Sequence, residues 1–285
     1  MKIGVVMDPI ESINFKKDST LAMMLEAQSR KHQLFYMTPD SLYINEKGAF
    51  AIAKTLQVKN DPTGWFDFKE EKQIKLSELD VILMRQDPPF NSNYIYNTYV
   101  LESAEKEGVL VVNKPSSLRD CNEKVFATEF PECCTPFLVT SDPNLLKSFI
   151  EDYSDTVVKP LDGMGGSSIF RLRYSDPNLN VILETITESF TTKVMIQTYI
   201  PEISDGDKRI LLINGNPMDA AVARVPAEGE LRGNLAAGAS AVARSLTEKD
   251  LWICEQVGPK LKELGLVLVG LDIIGDYLTE INVTS

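Results

Sequence analysis

The chain opens on an apolar run, KIGVVM (2–7), with no polar face, which predicts a buried strand. After a polar loop, Leu21, Met24 and Leu25 recur at helical spacing behind a capping Asp18 or Ser19. They predict a helix over 20–31, and the strand at 33–37 completes a βαβ unit. Segment 42–59 predicts a hairpin around 45–48, lying off the main sheet. VILMR (81–85) is another buried strand, stopped by Pro88 and Pro89 and ending in the charged pair Arg85 and Asp87. A helix over 94–107, capped by Gly108, leads into VLVVN (109–113). Residues 1–120 therefore read as a small α/β domain with a doubly wound parallel sheet. Ligands of such sheets lie beyond the carboxyl ends of the strands, where Arg85 stands.

Beyond residue 120 the period shortens. CNEKVFATEF (121–130) predicts a short amphipathic helix carrying Lys124, FLVT (137–140) a strand, and Asp142 the cap of a helix to about residue 152. A β-type run at 156–158 ends in Lys159 and Pro160, glycines follow at Gly163, Gly165 and Gly166, and SIFRLR (168–173) alternates again. This reads as strand, phosphate loop, strand. Converging backbone N–H groups and a lysine amine can hold an anion there. The lysine precedes the glycines and no helix follows, so the pattern is not Walker A. A hairpin whose glycines only serve the turn fits the same residues. Segment 171–193 adds strand and helix. VMIQTYI (194–200) is either a plain core strand or one whose backbone at Gln197, Thr198, Tyr199 and Ile200 meets a purine edge.

A third segment, 204–285, begins with Asp207 and Arg209, two apart on a strand and so on one face. The chain turns at 214–215, and the return strand 220–225 carries Arg224. Residues 226–243, rich in small side chains and without period, form a mobile lid or an ordinary surface loop. A helix over 246–265 precedes two final strands joined at 275–276. Glu280 and Asn282 share a face of the last strand, and their oxygens suit Mg2+. Asp272 joins them in one register alone. A two-residue loop sets it opposite Thr279, whereas a three-residue loop, the expected one, sets it opposite Glu280. Solvated acids on a surface hairpin are the other reading.

Composition narrows the function. Twenty-nine basic against 41 acidic residues leave a net charge of −12, which excludes nucleic acid and anionic membranes as partners of the surface as a whole. The short N-terminal apolar run is neither signal peptide nor membrane span, so a cytoplasmic location is expected. The four cysteines show no metal or disulfide spacing and are expected to be thiols. The one histidine, His32, sits at the polar end of a helix.

Seven stretches together resemble the bacterial glutathione synthetase family of ATP-grasp ligases: MDPI (7–10), MRQDPPF (84–90), NKPSSLRDCNEK (113–124), VKPLDGMGGSSIF (158–170), DGDKR (205–209), RGNLAAG (232–238) and GLDIIGDYLTEINVTS (270–285). The resemblance implies an N-terminal domain (1–120) and a two-subdomain ATP-grasp unit (121–203 and 204–285). By it, Lys124 and Lys159 contact ATP phosphates under a loop including Gly165, Gly166, Ser167 and Ser168. Gln197, Thr198, Tyr199 and Ile200 hold the adenine, with Asp207 beside the nucleotide. Arg209 and Arg224 act as catalytic cations, and Arg85, Asn234 and Asn282 meet the substrate. Asp272, Glu280 and Asn282 bind Mg2+, with Mn2+ as a substitute. The implied reaction is carbon–nitrogen ligation of γ-glutamylcysteine with glycine through an acyl phosphate, in a homotetramer. Family members continue past the last strand through a further helical segment, and their lids carry more glycine than GASAVAR (238–244). An ATP-grasp ligase for D-alanine or glutamate, and a nucleotide-binding protein without ligase activity, are the other readings. The intact set of Lys124, Lys159, Asp272, Glu280 and Asn282 speaks against the last.

Overall fold

The computed structural model describes residues 1–163, 167–227, 233 and 238–284. The chain divides into two compact units, Met1–Asp120 with Leu264–Leu266, and Cys121–Glu263 with Val267–Val283.

In the first unit, β1 (Lys2–Met7), α1 (Ser19–Ser29) and β2 (Gln33–Met37) form the expected βαβ start. Asp18 caps α1 by accepting the Leu21 N–H at 2.6 Å. β3 (Leu42–Asn45), β4 (Gly48–Val58) and β5 (Phe66–Lys75) follow, then β6 (Val81–Arg85), α2 (Ser92–Lys106), β7 (Leu110–Val112) and α3 (Pro115–Asp120). The sheet runs β3-β4-β2-β1-β6-β7, with β5 on β4. β2, β1, β6 and β7 are parallel, and the strand residues Val5, Val6, Met37 and Ile82 are fully covered. The hairpin at 42–58 is a correction to the sequence reading. It does not stand off the sheet, because β4 pairs antiparallel with β2 through Leu34↔Leu56. β5 went unrecognised because its apolar alternation, Phe66 and Phe68, breaks off at residues 69–73, which are exposed and charged or polar.

The second unit holds two antiparallel sheets. The first comprises β8 (Phe137–Thr140), α4 (Pro143–Tyr153), β9 (Thr156–Pro160), β10 (Phe170–Leu172), α5 (Leu179–Ile186) and β11 (Val194–Thr198), in the strand order β10-β9-β11-β8. Val158, Val194 and Ile196 pack with Leu146, Ile150 and Leu183 of the helices. By alternation Lys159, Met195 and Gln197 point from the opposite face. The second sheet comprises β12 (Asp207–Ile213), β13 (Asn216–Val225), β14 (Ser240–Ser245), β15 (Leu268–Ile274) and β16 (Tyr277–Asn282), in the order β14-β13-β12-β15-β16, with α6 (Glu248–Glu263) before β15.

Three expectations change here. Segment 121–130 is not a helix but a turn followed by one 3-10 turn at Phe126–Glu129. Of the expected lid, 228–232 and 234–237 lie outside the described residues, and its last residues belong to β14, paired with β13 from Val225↔Ser240 onward. The final hairpin has a two-residue loop, with Ile274 opposite Tyr277, not the three-residue loop expected. A bulge at Thr279 then supplies the extra residue, so that Asp272 still lies opposite Glu280. The Thr279 hydroxyl donates to the Asp272 carbonyl at 3.0 Å and holds that bulge.

Candidate functional site

Two segments distant in sequence converge on Glu280. Lys124, on the turn after residue 120, places Nζ 3.6 Å from Glu280 Oε1, and Lys159, at the end of β9, places its Nζ 3.7 Å from the same atom. Both lysines are buried. Lys124 Nζ also donates to the Gly163 carbonyl at 2.9 Å, which ties it to the start of the glycine loop, and pairs with Glu123. Burial works against the Lys124 charge, but Glu280 and Glu123 outweigh it and hold the amine above its ordinary range. Lys159 is different. Its Nζ donates to the Thr279 carbonyl at 3.3 Å, and burial, outweighing Glu280, depresses its pKa. A buried ammonium so weakly compensated favours the arrival of an anion. A recess beside these lysines is lined by Lys124, Cys134, Phe137, Met195, Gln197 and Thr279.

The second sheet supplies the neighbouring charges. Arg209 and Asp272 are cross-strand partners, and the guanidinium forks onto that carboxylate, Nη2 donating to Oδ2 at 2.9 Å. Arg224 Nη2 lies 2.9 Å from the same Oδ2 and also bonds Asp207. Burial pushes the Asp272 carboxyl up, but the two guanidiniums win and hold it below the usual carboxylate range. Asp207 goes the other way, raised to about 7 by burial and then by the Asp272 charge. Its Oδ1 and the Arg224 Nε are buried without hydrogen-bond partners. Two glycines make these approaches feasible. A Cβ at Gly270 would stand 2.7 Å from Arg209 Cδ, and one at Gly233 would stand 2.8 Å from Asp207 Cβ.

The bulged register brings Asp272, Glu280 and Asn282 to one face, with Asn282 Nδ2 3.2 Å from Asp272 Oδ2. Among the described residues no three His, Cys, Asp or Glu side chains form a metal cluster. Two carboxylates and an amide are a sparse, all-oxygen set of the kind that Mg2+ completes with water and phosphate oxygens, and the orphaned Asp207 Oδ1 beside them adds acceptor capacity. The residues therefore fit that ion.

The remaining expected residues fall as follows. Ser167 and Ser168 are exposed before β10, and Gly165, Gly166 and Asn234 lie outside the described residues. Gln197 lines the recess. The Thr198 and Tyr199 N–H groups donate to the Pro136 and Asp155 carbonyls, both at 3.0 Å, and Ile200 is buried. Arg85, in the first unit, donates from Nε to Thr20 Oγ1 at 3.0 Å and from Nη2 to Ser19 Oγ at 3.1 Å. Sequence reasoning missed Glu123, whose carboxyl is raised by burial and by Glu280. Its position next to Lys124 was the available signal. Asp155, which accepts from Arg171 and Arg173 and belongs to no motif of its own, drew no notice in the sequence.

Two family models cover almost the whole chain. Residues 1–119 match the one described as prokaryotic glutathione synthetase, N-terminal domain, and residues 123–285 the one described as prokaryotic glutathione synthetase, ATP-grasp domain. The chain belongs to the prokaryotic glutathione synthetase family. Glutathione synthetases similar to it include that of Pseudomonas putida, 59% identical, and that of Vibrio parahaemolyticus, 55% identical, each over 100% of this chain and 90% of the relative. Membership makes this glutathione synthetase family protein an ATP-grasp carbon–nitrogen ligase. Its fold is shared by D-cycloserine synthetase DcsG, with a TM-score of 0.67 at 14% identity over 99% of this chain and 92% of that one. It is shared too by the ATP-grasp ligase PsnB solved with minimal precursor, Mg and ADP, with a TM-score of 0.62 at 16% identity over 99% and 89%. No helix among the described residues is long and apolar enough to cross a membrane.

Proposed function

We propose that the chain joins γ-glutamylcysteine to glycine with ATP as co-substrate, and that the cluster around Glu280 is where the phosphates are held. The observation that carries this is the convergence of two buried lysines on one carboxylate oxygen, at 3.6 and 3.7 Å, beside the glycine loop. Lys124 and Lys159 bind phosphate oxygens, and Gln197, Thr198, Tyr199 and Ile200 form the adenine linker. The cysteinyl carboxylate of the dipeptide attacks the γ-phosphorus, the bond to ADP breaks, and an acyl phosphate forms. The glycine amine then attacks the acyl carbon, loses a proton, and phosphate leaves. No nucleophilic side chain is needed. Arg224, whose buried Nε has no hydrogen-bond partner, donates to the transferring group, and Arg209 holds Asp272 in place. Asp272, Glu280 and Asn282 would hold Mg2+, which when bound would supply positive charge against the phosphates. Arg85 and Asn234 serve the peptide and glycine.

The test is phosphate release from ATP and Mg2+ by purified protein given dipeptide and glycine together, then each alone. Turnover that requires both is expected. Equal release with either substrate missing would overturn the assignment.

A further inference from the structure

Asp155, Val157 and Lys159 alternate onto one face of the first sheet of the second unit. Val157 lies opposite both Arg171 of β10 and Gln197 of β11. One row further from Lys159, Asp155 joins three elements. Its carboxylate receives Arg171 Nε at 2.7 Å and Nη2 at 2.6 Å, and Arg173 Nη2 at 2.8 Å. Its carbonyl receives the Tyr199 N–H at 3.0 Å. The Arg171 guanidinium then lies over the Tyr199 ring, 3.6 Å from the centroid. A partly exposed ion pair adds little stability by itself. A two-point fork whose other side is stacked on an aromatic ring instead fixes geometry, because the plane of the guanidinium is set by both partners.

We propose that Asp155 and Arg171 are positioning residues of the nucleotide site: a clamp that holds the linker at Tyr199 in register with the strand carrying Lys159 and with the strand leaving the glycine loop. The proposal rests on the reading of 197–200 as the adenine linker. β10 is three residues long and sits at the sheet edge, so Arg171 is also what ties the exit of the loop to that linker. Release of the clamp loosens base and phosphate recognition together and leaves the peptide and glycine contacts as they are.

The test uses the full chain with Arg171→Met and Asp155→Asn. Calorimetric ADP binding with Mg2+ is measured beside KM for ATP, dipeptide and glycine. Expected are about tenfold weaker ADP binding and a matching rise in KM for ATP, with kcat and the other two KM values within about twofold. The preference for ADP over GDP narrows. Arg173→Met, which loses an ion pair to Asp155 but no ring contact, stays within about twofold of the parent. A lower Tm with unchanged ADP affinity and base preference in Arg171→Met would mark a purely structural ion pair and overturn the proposal. Should Arg171→Met fail to fold, Arg171→Lys keeps the charge without the fork, and the same outcomes decide. The two readings fail separately: an unmodified chain that binds ADP without ligating sinks the function, whereas a ligating chain with clamp variants of normal ADP affinity sinks the clamp.

Discussion

Lys159 shows how one residue serves function against stability. Its ammonium is buried, its pKa is pulled down by that burial, and Glu280 at 3.7 Å offsets the cost only in part. Removing a weakly paired buried charge does not cost what breaking a good ion pair does. For Lys159→Met we expect ADP affinity to fall by at least about tenfold, the loss of one charge-assisted phosphate contact, while the urea midpoint holds or rises. A fall in the midpoint would mean that the amine is a structural partner of Glu280. The buried cysteines supply no nucleophile to this chemistry. Burial raises the Cys133 thiol to about 11 and those of Cys134 and Cys254 to about 12, so none of these three is a thiolate at neutral pH.

Among the elements, β12 carries the site on one face and its anchor on the other. Lys208, between Asp207 and Arg209, points away from them, pairs with the fully buried Asp250 of α6, and donates to the Gly275 carbonyl at 2.9 Å. Asp250 in turn accepts the Thr247 N–H at 2.9 Å at the start of α6. Asp250→Ala strands a buried ammonium and is expected to cost about 3–5 kcal/mol in urea unfolding, whereas Lys208→Met with Asp250→Leu recovers most of it. Equal losses in the single and double variants would show that the pair contributes more than its mutual compensation. The final hairpin teaches a related lesson. The metal register depended on where an extra residue was placed, and the chain places it in the strand at Thr279 rather than in the turn. Both arrangements satisfy the same alternation, so residue pattern alone could not choose.

At the scale of the molecule, Lys124, Lys159, Asp207, Asp272 and Glu280 all belong to the second unit. ADP with Mg2+ at 100 times its Kd is expected to add about 2.7 kcal/mol to that unit and to raise its melting transition by about 5–10 °C. Calorimetry with and without EDTA checks this, since chelation is expected to remove most of the shift. The sequence by itself determined the parallel core strands at 2–7, 33–37 and 81–85, narrowed the first helix cap to Asp18 or Ser19, and placed the Asp142 cap and the strand–loop–strand around Lys159. Each depends on side chains near in sequence: unbroken apolar runs, a capping carboxylate, glycines in a turn. Motif order along the chain also carried the family. Tertiary structure alone decided the rest. It joined β4 to β2, built an edge strand from 66–75 whose apolar alternation stops after Phe68, and gave 121–130 a turn and one 3-10 turn at Phe126–Glu129. It also brought Glu123, Lys124, Lys159 and Glu280 together and set Asp155 between Arg171 and Tyr199. Those contacts span up to about 160 residues of sequence. Long-range strand pairing creates them, and local periodicity holds no record of it.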